Sequence, residues 1–144
     1  MKALTLSQPN ASLVADGEKF VENRSWETKY CGLLAIHAGK GTQYMKKREI
    51  LEADLPFGQV VAIAELQGCV DLAKVRTWQR RDWGRSELGL PAWLSVNKFL
   101  AHEHTEGPWC WIFGNVRKLA QPIDAIGAQG IWNWKLNGSA CQTD

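Results

Sequence analysis

Lys19, Glu22 and Arg24 place two cations and one carboxylate inside the segment Gly17-Glu18-Lys19-Phe20-Val21-Glu22-Asn23-Arg24. Successive strand side chains point to opposite faces, so if 21–26 is a strand, Glu22 and Arg24 share a face. Such a group is either an ion pair that braces a loop or the start of a site. In a site, Lys19 and Arg24 could hold a phosphate, Arg24 with a planar fork and Lys19 as a point charge. Glu22 would order Arg24 or accept a base amino group. Ser7 and Gln8 lie just before a predicted short helix, where their side chains and the first free N–H groups could meet a phosphate or a base edge. Trp26 follows Arg24 by two and projects to the same face, which suits stacking on a base as well as it suits the core.

A second chemistry is open to the same lysine. A desolvated lysine can act as base or nucleophile while a carboxylate such as Glu65 shuttles protons. The three histidines are His37, His102 and His104. His102-Glu103-His104 lacks the i, i+4 spacing of a helical zinc site, and no metal or other cofactor is expected. His37, at a strand end, either donates to a substrate or is a satisfied structural histidine. Trp78 and Trp83 interleave with Arg76, Arg80, Arg81 and Arg85. A mixture of this kind fits single-stranded RNA, or simply an exposed loop.

The elements that must position these groups are short. Residues 2–6 form a strand, Ala11–Asp16 a helix stopped at Gly17, and Val21–Trp26 and Leu33–His37 two further strands. Thr42–Ala53 has helical spacing, with the basic run Lys46-Lys47-Arg48 on its surface, and must end before Pro56. Gln59–Val70 is rich in Val and Ile and makes a central strand. The polar stretch 71–106 reads as an insertion or long connection, after which strand character returns at 109–113, 116–123 and 131–134. Six or so strands with two modest helices and no βαβ alternation predict an α+β fold, a small mixed barrel.

A chain of 144 residues with 45% hydrophobic content fits one domain, 1–136, followed by a loose tail at 137–144. No apolar run approaches a membrane span, and the opening residues lack a signal core, so a cytoplasmic protein without membrane contact is expected. Cys31, Cys69, Cys110 and Cys141 are too scattered for a zinc or redox pair. With a net charge of only +2, any nucleic-acid binding must come from a local cluster. Eight tryptophans exceed what so small a core requires, which predicts that some work at a surface.

Leu6-Ser7-Gln8-Pro9, the short helix, and then Gly17, Lys19, Glu22 and Arg24 in a G-x-K-x-x-E-x-R pattern resemble the ASCH family. The likeness continues through Thr28-Lys29-Tyr30, Ile36-His37-Ala38, Glu65, Asn115-Val116-Arg117 and Gln129-Gly130-Ile131-Trp132. The resemblance implies a PUA-like β-barrel with two or three short helices. It also implies a role with RNA or a modified nucleoside, as a binding module or as an amidohydrolase of acetylated cytidine or a ribonuclease. Lys19 and Glu65 match positions implicated in the amidohydrolase-like members. Where those carry a threonine three residues after the lysine, this chain has Glu22, which would pair with Lys19 and weakens the case for the same hydrolysis. The expected ligand-binding set is Ser7, Gln8, Lys19, Glu22, Arg24 and Trp26, with Lys19, Glu22 and Glu65 catalytic if the protein is an enzyme. A protein-docking adaptor that uses the tryptophans is the third reading. The oligomeric state is left open.

Overall fold

The computed structural model describes residues 1–47, 54–78 and 84–135. Its strands are β1 (Lys2–Leu6), β2 (Val21–Arg24), β3 (Gly32–Ala38), β4 (Gln59–Asp71), β5 (Trp109–Asp124) and β6 (Ile131–Asn133). Its helices are α1 (Asn10–Ala15), α2 (Gln43–Lys47), α3 (Leu72–Thr77) and α4 (Val96–Ala101), with a 3-10 turn at Arg85–Leu88. The strand order is β2-β5-β4-β3-β1-β6. β1 runs parallel to β3 and antiparallel to β6, while β2 runs antiparallel to β5. The expected α+β class, short helices with a mixed barrel-like sheet, is therefore what the chain adopts.

The strands coincide with the β-branched and aromatic runs. In β4 every even-numbered residue from Val60 to Val70 is buried, whereas Glu65, Gln67 and Cys69 stand half-buried on the opposite face. α1 has no side-chain cap from Pro9; instead Gln8 Oε1 accepts the Ser12 N–H at 3.0 Å. The same helix stops at Gly17, whose φ of +81° is the left-handed conformation a glycine cap supplies at least cost.

The stretch 71–106 supplies α3, the 3-10 turn and α4. Asp71 caps α3 by accepting from Ala73 N and Lys74 N, and Ser95 caps α4 by accepting from Lys98 N. The basic–aromatic mixture there is divided by the fold. Trp78 packs against an apolar core, and Arg85 donates to the carbonyls of Pro91 and Leu94. Arg80, Arg81 and Trp83 lie outside the described residues, as do Arg48–Ala53 of the second predicted helix, the tail 137–144 and Cys141. Among the described residues no helix is long and apolar enough to cross a membrane.

Contacts divide the chain into two compact units, one of Met1–Glu18, Leu33–Ala64 and Val116–Asp144, the other of Lys19–Gly32 and Glu65–Asn115. The first has an apolar cluster of Ala3, Ala35, Val60 and Trp134, flanked by Ile63 and Trp132. The second has a cluster that includes Val21, Val70, Leu94, Phe99, Cys110 and Ile112. In the second unit Asn23 ties β2 to the turn before β5. Its Nδ2 donates to His104 O at 2.7 Å, and its Oδ1 accepts from Gly107 N at 2.8 Å and Glu106 N at 3.0 Å. Asn23→Ala strands those groups, and urea denaturation should show a loss of about 2–3 kcal/mol. A change within experimental error contradicts the bracing role.

Candidate functional site

β2 is only four residues long, so its neighbour β5 decides where its side chains go. The register sets Glu22 opposite Trp111 and Arg24 opposite Trp109, and the Phe113 N–H extends the ladder to Phe20 O. Alternation then sends Val21 and Asn23 toward the apolar cluster and leaves Glu22 and Arg24 on the other face with Trp111. Glu22 uses both oxygens: Oε1 lies 3.4 Å from Lys19 Nζ, and Oε2 lies 3.2 Å from an Arg24 terminal nitrogen. Lys19 is 5% exposed and Glu22 8%, so this pairing takes place largely out of water.

Trp111, fully buried, is the hub beside these charges. The Arg24 guanidinium carbon stands 5.9 Å from its ring centroid, at the outer range of a cation–π contact. Trp26 meets it edge-on with centroids 4.8 Å apart, and the Trp111 indole N–H donates to Trp26 O at 3.4 Å. Trp26 itself is 39% exposed, leaving surface for a ligand ring. Lys19, Glu22, Arg24 and Trp26 are thus one contiguous group. Trp111, which joins them, reads in the sequence only as a strand residue, and the signal that finds it is the β2–β5 register.

Glu65 belongs to the same unit and is held by two amides. Gln67 Nε2 donates to Oε1 at 3.3 Å and Asn115 Nδ2 to Oε2 at 3.1 Å. Gln67 Oε1 in turn accepts the Trp93 indole N–H at 2.5 Å. Two backbone features make room for this chain of bonds. Asn115 adopts a φ of +48°, which asparagine tolerates better than most residues. A Cβ on Gly114 would stand 2.4 Å from Gln67 Nε2, so any larger residue there would displace the amide from this position. Trp93 is exposed, packs edge-on against Phe20 and carries the Lys98 ammonium 5.7 Å from its ring. Gln67 and Trp93 are the members of this group that the sequence does not single out, and Asn115 stands there only within the stretch Asn115-Val116-Arg117.

Phe20, next to Lys19, also stacks on His102 with centroids 3.9 Å apart. Burial pushes the His102 imidazole below its ordinary range, and the charges of His104, Lys19 and Lys98 push the same way against Glu103. Its Nε2 is buried without a hydrogen-bond partner. No cluster of metal-ligating side chains occurs among the described residues.

Ser7 and Gln8 lie in the first unit. Ser7 is exposed, whereas Gln8 is fully buried and donates to Ser12 Oγ at 2.9 Å and Pro56 O at 2.7 Å. Its amide therefore holds α1 and the Pro56 turn. His37 is also buried and satisfied, with Nε2 2.8 Å from Ala125 O and Nδ1 3.1 Å from Thr5 Oγ1.

The model of the ASCH domain family matches residues 4–122 of this chain. Among curated proteins no match is found. Solved structures similar to the chain include the ASCH protein of Zymomonas mobilis, 16% identical, with a TM-score of 0.46 over 85% of this chain and 72% of that one. A point mutant of the same bacterial protein aligns at 20% identity with the same score and coverage.

The His102 environment has a consequence for stability. The unfolded chain, near the ordinary value of 6.5, takes up a proton more readily than the folded one. Stability is therefore full above that value and falls as the pH drops below it toward the lowered folded value. Urea midpoints measured at about pH 7.5 and about pH 5 should fall less in His102→Gln than in the native protein. Equal falls contradict the assignment.

Proposed function

The chain belongs to the ASCH domain family, and from that premise we propose that it binds RNA or a nucleobase through Lys19, Glu22, Arg24 and Trp26, which the buried Trp111 supports from behind. The observation that most supports this reading is the division of Glu22 between two cations. Two cations and one carboxylate carry a formal charge of +1, and the group lies in surroundings where charge is weakly screened. Arg24 offers a planar donor set suited to phosphate, and the exposed Trp26 beside it offers a face to a base. A whole-molecule charge of +2 places the burden of attraction on this local group.

A hydrolase reading draws on different features of the same unit. Lys19 is nearly buried, and Glu65 is held in one orientation by Gln67 and Asn115. These could serve cleavage of an acylated nucleoside, N4-acetylcytidine-like, or of RNA. Attack requires a neutral amine, however, and the Glu22 carboxylate gives Lys19 a salt-bridge partner, which suits an anchoring charge. Binding is accordingly the favoured reading. Release of acetate from acetylated cytidine by the native protein, lost in Lys19→Ala, would reverse that order.

Fluorescence titration with short single-stranded RNAs tests the binding role. Lys19→Ala and Arg24→Ala should each weaken binding by roughly tenfold, as loss of a charge-assisted contact does, and should flatten its salt dependence. Equal affinity in all three proteins overturns the proposal.

A further inference from the structure

The first unit contains chemistry that the Lys19 group does not use. A cavity of ≈ 620 Å³ is lined by Lys40, Phe57, Asp124, Trp132, Trp134 and Lys135, among others. A second, of ≈ 400 Å³, lies against Thr5, His37 and the 125–129 segment and shares Lys40, Ala125 and Ile126 with the first. Both volumes fall in the range of small-ligand sites.

The wall of the second cavity is built around His37, which also orients Trp132 of the first. Ala125 O can only accept, so the proton is on His37 Nε2, and in the neutral ring Nδ1 accepts from the Thr5 hydroxyl. Thr5 Oγ1 accepts the Trp132 indole N–H at 3.0 Å, which fixes the plane of that half-buried ring edge-on to His37. The strap from Ala125 to Gly127 lies close over the histidine: Ala125 N bonds Gly58 O at 3.1 Å, and a Cβ on Gly127 would stand 2.6 Å from His37 Cε1. Lys40 is located just as closely. Its aliphatic stem passes over Gly58, where a Cβ would come within 2.7 Å of it and where φ is +68°. The stem thus lies against backbone while Lys40 as a whole is exposed.

Three aromatic rings, two lysines and one aspartate therefore line one cavity. The rings suit a flat heteroaromatic group, and the ammonium groups of Lys40 and Lys135 suit an attached phosphate. Asp124 has Oδ1 bonded by Gln59 Nε2 at 2.9 Å, and its carboxylate has further acceptor capacity for a ribose hydroxyl or a base amino group. We propose that this cavity is a second ligand site, for a nucleoside monophosphate unit, either free or at the end of an RNA strand. The site rests on residues of the first unit alone and stands independently of the Lys19 group.

Nuclear magnetic resonance titration of the isotope-labelled protein with AMP, CMP, GMP and UMP, and with a short RNA bearing or lacking a terminal phosphate, tests it. Saturable shifts of the Trp132 indole N–H and of the amides at 124–127 are expected. Lys40→Ala and Lys135→Ala, both surface changes, should each weaken the mononucleotide affinity read from these shifts at least fivefold. Saturation by mononucleotides identifies a free ligand; saturation by RNA alone identifies a strand end. Absence of saturable shifts with every probe up to about 5 mM, or equal affinity in the double lysine variant, overturns the proposal.

Discussion

Removing a carboxylate from water costs several kcal/mol unless charges of the opposite sign come with it. Glu22, 8% exposed, meets that requirement with both oxygens, one toward Lys19 and one toward Arg24. The rest of the second unit is arranged so that this sharing can occur. Pairing with β5 holds the four residues of β2 extended, which puts Glu22 and Arg24 on one face and commits Val21 and Asn23 to the other. Asn23 then secures the 104–107 turn, and Trp111 supplies the surface along which Arg24 and Trp26 lie. A carboxylate that organises two cations does not itself have to be the group that meets a ligand. Its contribution is to fix where the positive charge is offered.

The tryptophans show how one residue type serves separate ends. Trp111 and Trp134 are buried, Trp26 and Trp93 are exposed, and Trp132 lies between. Trp93 donates its indole N–H to Gln67, and Trp132 donates its own to Thr5. Each ring is thereby held in a fixed plane with apolar surface left over, an arrangement that costs little side-chain entropy when a flat ligand arrives. Each unit has its own apolar cluster, and each has at least one such ring beside charged side chains.

Much of the fold was legible because its strands announce themselves. Val, Ile and Trp runs mark β3, β4 and β5, and Gly17 marks the end of α1. The helices of 71–106 were not legible, since six residues give fewer than two turns and no periodicity to read. In the site, Lys19, Glu22 and Arg24 could be grouped from spacing alone. Trp111 could not, because its place depends on register with a strand some ninety residues away. Asn115 falls in the gap between the strand segments read at 109–113 and 116–123, whereas the structure runs a single strand, β5, through it, with the residue at positive φ. Gln8 was read as a ligand contact from its place before a helix, and in the structure its amide is engaged by Ser12 and Pro56, a distinction that requires knowing which way the amide turns.

The central claim is that Glu22 organises the cations, and charge counting opposes it: Glu22→Gln removes a negative charge and by electrostatics alone should strengthen binding to RNA. The decisive measurement is the affinity of Glu22→Gln for a short single-stranded RNA at fixed salt. If Glu22 holds Lys19 and Arg24 in place, binding weakens by roughly fivefold or more despite the added positive charge. Binding equal to or tighter than that of the native protein would contradict the account.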